Sequence, residues 1–119
     1  MGYAKTLQWE DYVDAHGDPY ETLIGAVDSV ETGEVVVSAV SGCIRSALWG
    51  ELLSTATRMR GGRGAIVDGA VRDVDQMREM GFPCFARSKT PRDSAHRQNI
   101  VAIGEPVVLG GVRIEPGER

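Results

Sequence analysis

The sequence predicts an α/β domain with a mixed, partly parallel sheet flanked by helices. Segments with apolar residues at helical spacing alternate along the chain with β-branched runs, and short glycine-containing connections separate them. Strands and helices that alternate in this way are typical of βαβ units, whose strands lie parallel. With 119 residues and 42% hydrophobic content, the chain is expected to form one domain over residues 1–119.

In the first half of the chain, the pattern predicts two helices around one strand. The first helix is predicted to begin at Asp18-Pro19-Tyr20-Glu21, a capping-box pattern with proline at the first helical position, and to stop at Gly33. Residues 34–40 are β-branched and predict a buried strand, which Ser41-Gly42-Cys43 ends. Residues 46–60 predict the second helix, because their apolar positions return to helical spacing.

In the second half, residues 65–68 predict a short buried strand that runs into a glycine turn at Gly69. The turn is expected to place Arg72 and Asp73 side by side, directly before a helix that ends at Gly81. Residues 83–86 predict a strand and residues 89–97 a polar loop. Residues 99–114 predict two or three strands with a hairpin turn at Gly110-Gly111.

Charge and composition exclude several classes of protein. A net charge of −4 and a pI near 5.1 argue against nucleic-acid binding, which usually requires a basic surface. The apolar runs are shorter than the roughly 20 residues that span a bilayer, and no secretory leader opens the chain, so a soluble cytoplasmic protein is expected. Cys43 and Cys84 form no CxxC pair, which favours free thiols.

Common catalytic and cofactor motifs are absent from the sequence. It has no GxxxxGK[ST] phosphate loop, and its glycines at 61, 62 and 64 precede a predicted strand, so they do not form a dinucleotide fingerprint. His16 and His96 have no partner at zinc-ligand spacing, and no GxSxG nucleophile elbow occurs. These exclusions leave the Arg72-Asp73 pair as the main candidate site.

Two interpretations of the Arg72-Asp73 pair remain open on the sequence alone. Asp73 could be a helix N-cap worth about 1 kcal/mol, beside a solvated Arg72. Alternatively, a fixed carboxylate next to a fixed cation at the carboxyl end of a strand suits a metal ion and an anionic ligand. The two roles are compatible, because the positive potential of a helix N-terminus keeps a carboxylate ionised.

The segment from about residue 47 to 92 resembles the RraA-like family, which includes the 4-hydroxy-4-methyl-2-oxoglutarate aldolases. Several blocks with matching separations carry the resemblance: Ala47-Leu48-Trp49-Gly50-Glu51-Leu52-Leu53, Gly64-Ala65-Ile66-Val67-Asp68-Gly69-Ala70-Val71-Arg72-Asp73, Gly81-Phe82-Pro83-Cys84-Phe85-Ala86-Arg87 and Thr90-Pro91-Arg92. The resemblance implies a swivelling β/β/α-type fold that assembles as a homotrimer or as a hexamer of two trimers, with active sites between subunits.

The resemblance also implies a function and a role for each site residue. Family enzymes are lyases that depend on Mg²⁺ or Mn²⁺ and cleave or decarboxylate 2-oxo acids. Arg72 would bind the carboxylate and carbonyl of the pyruvyl group, and Asp73 would ligate the metal. The backbone of Gly50, Glu51, Leu52 and Leu53 would bind substrate, and Glu51 would hold a metal-bound water. A metal-associated water is the expected base, because the sequence places no histidine or lysine nearby.

The chain departs from the family pattern in ways that keep a second function open. Gln76 stands where the aldolases usually have an acidic residue, and the domain is expected to be shortened at both ends. A fragment, a minimal version and an inactive relative all fit this pattern. The alternative to a 2-oxo-acid lyase is therefore a non-catalytic protein that, like other family members, binds and inhibits ribonuclease E.

Overall fold

The computed structural model describes residues 2–11, 21–40, 47–90 and 98–118. In chain order the elements are β1 (Tyr3–Asp11), α1 (Glu21–Asp28), β2 (Glu34–Ala39), β3 (Ala47–Trp49), α2 (Glu51–Met59), β4 (Gly64–Val71), α3 (Val74–Glu79), β5 (Cys84–Lys89), β6 (Gln98–Ile103), β7 (Val107–Leu109) and β8 (Val112–Ile114).

A mixed sheet organises the fold. Its strand order is β3-β4-β2-β1-β6, with β5 also paired to β4. The pairs among β1, β2, β3, β4 and β5 are parallel, whereas β6 runs antiparallel to β1. The strands β7 and β8 form a separate antiparallel hairpin. The predicted fold class, a mixed and partly parallel sheet with helices, is therefore confirmed.

The two faces of the sheet bury different clusters. Val36 belongs to a large apolar cluster that includes residues of α1 and α3, and residues of α2 pack against it. Val37 belongs to a smaller cluster with Val107 of the hairpin. Because neighbouring strand residues point to opposite faces, the helices cover one face and the hairpin covers part of the other. No helix in the described part of the chain is long and apolar enough to cross a membrane.

The strand β1 was not predicted from the sequence. Its residues alternate for only a short distance, because Thr6 and the adjacent Leu7 are both buried, and a register shift follows between Gln8 and Trp9. Burial on both faces and a bulge remove the simple alternation that identifies a half-buried strand. This strand nevertheless occupies the interior of the sheet, between β2 and β6.

The prediction of one helix over residues 46–60 was wrong at its start. Ala47–Trp49 form the strand β3, and α2 begins only at Glu51. Gly50 separates them in an extended conformation, with φ −164° and ψ −165°. A short strand directly before a helix adds apolar residues that fit the helical period by chance, so spacing could not separate the two elements.

The glycine turn predicted after residue 68 was also wrong. The strand β4 continues to Val71, and Asp68 and Gly69 lie inside it. The pairing of β4 with β5 shifts register between Val67 and Ala70, so these two residues form an irregularity within the strand. An isolated glycine in a strand often marks such a bulge.

Other boundaries shifted less. The helix α1 ends at Asp28 instead of reaching Gly33, which has φ +87° in the following turn. The strand β5 extends to Lys89, beyond the predicted end at residue 86. The predicted hairpin is confirmed, with Gly110 and Gly111 at φ +52° and +83°. The predicted cap at Asp18, the break at residues 41–43 and most of the loop at residues 89–97 lie outside the described residues.

Candidate active site

The carboxyl ends of β3, β4 and β5 meet at one edge of the sheet. Trp49, Val71 and Lys89 end these strands and are paired in register. The backbone N–H of Arg72 donates to the carbonyl of Trp49 at 2.9 Å, and that of Thr90 donates to the carbonyl of Val71 at 2.9 Å. Ligands of open α/β sheets tend to bind outside such an edge. The segments that leave this edge carry the candidate site.

Asp73 has an unusual backbone and does not cap its own helix. It is the one non-glycine residue with positive φ in the described chain, at φ 57° and ψ 38°. It occupies the N-cap position of α3, but its side chain makes no capping hydrogen bond. Its Oδ2 instead accepts a hydrogen bond of 3.1 Å from the backbone N–H of Glu51, at the start of α2. The interpretation of Asp73 as a simple side-chain cap is therefore wrong.

The conformation of Asp73 requires compensation from its surroundings. A left-handed conformation costs a non-glycine residue on the order of 1 kcal/mol or more, although aspartate tolerates it better than most. The turn directs the carboxylate away from α3 and toward α2. Asp73 therefore directly precedes α3, whereas its carboxylate accepts a hydrogen bond from the first residue of α2.

Gly50 allows Arg72 and Asp73 to approach the start of α2. A Cβ atom at position 50 would lie 2.8 Å from Asp73 Oδ2 and 3.0 Å from Arg72 Cγ. The extended φ of Gly50 is accessible to any residue. Glycine is therefore favoured here because a side chain would clash with Arg72 and Asp73, and not because of the backbone conformation. The contact brings the Gly50 and Arg72-Asp73 motifs together at this edge of the sheet.

Arg72 and Asp73 form a loose, half-exposed ion pair. Arg72 Nε lies 3.9 Å from Asp73 Oδ2, and the side chains are 38% and 35% exposed. A pair with this exposure contributes at most about 1 kcal/mol to stability. Both side chains therefore keep more than a third of their surface exposed, with opposite charges on one turn.

Buried contacts of the neighbouring residues Trp49 and Ser54 stabilise the backbone at Gly50. The indole N–H of Trp49 donates to Ser54 Oγ at 2.8 Å, and that hydroxyl donates to the carbonyl of Gly50 at 2.8 Å. The Trp49 ring stacks on Phe82, with centroids 6.5 Å apart and planes 17° apart. Trp49 is almost fully buried, so it packs in the core and is not exposed for stacking on a substrate.

An open cleft of about 540 Å³ lies over this edge of the sheet. Its lining residues are Arg72, Asp73, Val74, Asp75, Gln76, Lys89 and Thr90. The volume is within the range typical of small-molecule sites. Lys89 and Thr90 were missed as site residues, and the expectation that no lysine lies nearby was wrong. A prediction that extended β5 to Lys89 would have identified them, because the parallel register pairs Lys89 with Val71.

A family model described as RraA-like, Aldolase/RraA, matches residues 1–119. The chain belongs to the RraA-like family. An uncharacterized protein of Methanocaldococcus jannaschii is 34% identical over 98 residues, which are 82% of this chain and 47% of that protein. A 4-hydroxy-4-methyl-2-oxoglutarate aldolase of Thermus thermophilus is 33% identical over 85 residues, which are 71% of this chain and 51% of the aldolase.

The solved structures agree with this family. Streptomyces coelicolor RraAS2, described as an unusual member of the RNase ES inhibitor RraA protein family, is 31% identical, with a TM-score of 0.83 over 98% of this chain and 57% of its own. The chain spans about half the length of the curated relatives that it matches.

The RraA-like resemblance predicted that residues 50–53 bind substrate through their backbone. Helix geometry leaves the first N–H groups of α2 without intrahelical acceptors. The N–H of Glu51 donates to Asp73, so those of Leu52 and Leu53 are the remaining candidates. The Leu52 side chain is 73% exposed, whereas that of Leu53 packs against the core. The roles predicted for these residues remain predictions.

The donor set of the cleft fits a hydrated Mg²⁺ or Mn²⁺ better than zinc. The described residues contain no cluster of three or more histidine, cysteine or acidic side chains. The cleft does offer the carboxylates of Asp73 and Asp75. Mg²⁺ typically binds one or two carboxylates and completes its shell with water and substrate oxygens, whereas structural zinc requires four protein ligands.

Cys84 is a poor candidate for a nucleophile in this region. It is a free thiol on β5, at the end of the strand away from Lys89. Burial raises the pKa of Cys84 to about 11, so the thiol is protonated at neutral pH. Because the thiolate is the reactive form, covalent catalysis by this residue is not supported.

Proposed function

We propose that the chain acts as a lyase that depends on a divalent metal and cleaves the C3–C4 bond of 2-oxo acids. Its substrates would be acids such as 4-hydroxy-4-methyl-2-oxoglutarate or oxaloacetate, and its product pyruvate. The observation that carries the proposal is the conformation of Asp73. A strained residue with its carboxylate turned away from its own helix, beside an accessible arginine, fits a binding role better than a capping role.

The proposed chemistry requires stabilisation of an enolate. When the bond between C3 and C4 of the substrate breaks, its electron pair moves toward the 2-oxo oxygen, and C3 later takes up a proton to give pyruvate. In the aldol cleavage the 4-hydroxyl loses its proton, and the second product is a carbonyl compound. In the decarboxylation the second product is CO₂. Both reactions therefore need positive charge and hydrogen-bond donors at the pyruvyl end.

Arg72 would bind the pyruvyl carboxylate. The guanidinium is always charged and offers a planar fork of donors that matches two carboxylate oxygens. Its Nε lies 3.9 Å from Asp73 Oδ2 in a loose ion pair, and the side chain is 38% exposed. The N–H groups of Leu52 and Leu53 would add donors for the same anion, as helix N-termini commonly do.

Asp73 would hold the metal, and Asp75 is the other carboxylate that lines the cleft. The hydrogen bond from Glu51 occupies Oδ2 and orients the carboxylate. A bound divalent ion supplies Lewis-acid stabilisation of the developing oxyanion, worth several kcal/mol. Glu51 is proposed to act from outside the first coordination shell, through water.

The direct test is release of pyruvate from oxaloacetate and from 4-hydroxy-4-methyl-2-oxoglutarate, with Mg²⁺, with Mn²⁺ and with EDTA. We expect turnover with metal and its loss with EDTA. Absence of turnover by folded protein on both substrates would rule out the lyase. Turnover that persists both in EDTA and in the Asp73→Ala variant would rule out the metal mechanism.

The alternative is a protein that binds ribonuclease E without catalysis. Its support is the 31% identity with RraAS2, which is described as a member of an RNase ES inhibitor family. Under either function we propose assembly as a homotrimer or hexamer in the cytoplasm. Failure of folded protein to retain ribonuclease E, together with unchanged ribonuclease activity, would exclude the alternative, and light scattering would measure the assembly.

A further inference from the structure

We propose that Lys89 binds a second carboxylate of the substrate and makes the site selective for dicarboxylic 2-oxo acids. This inference rests on the proposed function for its chemistry, although its binding test does not need turnover. Lys89 lines the same cleft as Arg72 and Asp73. It comes from the neighbouring strand, so it can contact a part of the ligand that Arg72 does not hold.

The register of the sheet sets the position of Lys89. It is the last residue of β5 and pairs with Val71, the residue before Arg72. Strand spacing and rise place the Cα atoms of Arg72 and Lys89 about 6 Å apart. Lys89 lines the cleft together with the first turn of α3, at Val74, Asp75 and Gln76.

The charges of the cleft favour an anion at Lys89. Arg72 already forms an ion pair with Asp73. Lys89 is exposed and forms no salt bridge with a carboxylate of the described chain. A ligand with one carboxylate on Arg72 and its 2-oxo group toward Asp73 would leave the ammonium of Lys89 for a second anionic group. A lysine is a compact charge on a flexible stem, which accommodates dicarboxylic acids of different length.

Lys89 should distinguish the two reactions considered above. In 4-hydroxy-4-methyl-2-oxoglutarate the second carboxylate stays on the departing pyruvate, so a contact with it holds the substrate without opposing cleavage. In oxaloacetate the second carboxylate itself leaves as CO₂. A cation that stabilises this carboxylate stabilises the ground state and does not raise kcat. The position of Lys89 therefore favours aldol cleavage over decarboxylation.

The kinetic test compares wild type with Lys89→Met and Lys89→Arg on 4-hydroxy-4-methyl-2-oxoglutarate and on 4-hydroxy-2-oxopentanoate, which has one carboxylate. We expect Lys89→Met to lower kcat/KM for the dicarboxylic substrate about tenfold, mainly through KM, as for loss of an exposed charged hydrogen bond. The monocarboxylic substrate should change less than about twofold, and Lys89→Arg should restore most of the loss. Equal losses on both substrates would overturn the proposal.

The control is Lys5→Met, another lysine of the same sheet. Lys5 pairs with Val36, which in turn pairs with Ala65 of β4, whereas Lys89 pairs with Val71 of β4. Because Ala65 and Val71 are six residues apart in β4, the two lysines lie about 20 Å apart along the strand direction. Lys5 donates to the carbonyl of Ser29 and does not line the cleft. Its replacement should leave the preference between the two substrates unchanged.

A binding test separates this proposal from the proposed function. Calorimetry with Mg²⁺ would compare 2-oxoglutarate with 2-oxobutyrate, ligands that the lyase reaction does not cleave. Tighter binding of 2-oxoglutarate that Lys89→Met removes would support the role of Lys89, even for a protein without turnover. Binding of neither ligand, or equal binding of both, would overturn the role even where turnover is observed.

Discussion

The sheet carries two concave surfaces of opposite character. The cleft at the carboxyl edge is lined by residues at or beyond strand ends, and four of its lining side chains are charged. A second hollow of about 400 Å³, the apolar groove, lies at the hairpin and is lined mainly by side chains of the strands themselves. The groove residues are Gly2, Ala4, Val35, Val37, Ile66, Val112, Arg113, Ile114 and Glu118.

The difference reflects where strands can place side chains. Within a strand, alternate residues must fill one face, so the groove reflects the packing needs of the sheet. Beyond the strand ends, the backbone can turn sharply, as at Asp73, and can approach closely, as at Gly50. Substitutions at the carboxyl edge are therefore expected to lower activity, whereas substitutions at the apolar groove are expected to lower the free energy of unfolding. Each prediction below tests this division.

The largest effect is expected for Asp73→Asn. Asparagine tolerates the left-handed conformation and can still accept the hydrogen bond from Glu51, so the fold should persist while the negative charge is lost. Without the charge, Mg²⁺-dependent pyruvate release should fall at least about a hundredfold. The matched control is Glu79→Gln on the same helix, an exposed residue outside the cleft, which should retain activity. Undiminished activity of Asp73→Asn would remove Asp73 from the metal site.

A smaller loss is expected for Gly50→Ala. The added methyl group would meet Asp73 Oδ2 at 2.8 Å and Arg72 Cγ at 3.0 Å, so both side chains must shift. We expect pyruvate release to fall by a factor of about ten or more, and the free energy of unfolding to fall by about 1–3 kcal/mol.

The matched control for Gly50 is Gly25→Ala. Gly25 lies in α1, and a Cβ atom there would contact nothing within 4 Å. Alanine should stabilise that helix by up to about 1 kcal/mol without affecting turnover. Denaturant titration and initial rates on both variants would measure the contrast. Equal behaviour of the two variants would mean that the approach to Gly50 does not matter.

The apolar groove should show the opposite pattern. Val37 is 2% exposed and packs under the hairpin with Val107. Val37→Ala should lower the free energy of unfolding by about 2 kcal/mol, through lost burial and a residual cavity. Its KM and kcat should match wild type at a temperature where the variant stays folded. A change in KM for the 2-oxo acid would instead connect the groove to the site.

The order of elements was predictable because it depends on local patterns. The alternation of helical and β-branched segments indicated parallel βαβ units, and the position of Arg72 and Asp73 before a helix was read directly from the sequence. Lys89 could not be found in this way. Its place in the cleft depends on the extra length of β5 and on its register with β4, which are set by pairing between strands.

The orientation of Asp73 was equally beyond the sequence. Aspartate before a helix is a common N-cap, so the local pattern favoured a cap. Gly50 has no Cβ atom to block the approach of the carboxylate. The N–H of Glu51, 22 residues away in the chain, can therefore donate to Asp73. Tertiary contacts therefore overrode a correct local propensity. Ala47–Trp49 shows the same effect, since pairing with β4 makes these residues a strand.

The smallest effect concerns the two ends of β5, where Lys89 faces the cleft and Cys84 is half-buried. Burial raises the pKa of Cys84 to about 11, so the reactive thiolate is scarce at neutral pH and increases as the pH rises toward that value. In a Cys43→Ser background, the alkylation rate of Cys84 by iodoacetamide should rise about tenfold per pH unit up to pH 10, as followed by mass spectrometry. An ordinary thiol, with a pKa near 8.5, would approach its maximum rate above pH 9. A plateau at that pH would show that the thiol is not desolvated. Pyruvate release at neutral pH should not change on alkylation, because Cys84 lies away from the carboxyl edge.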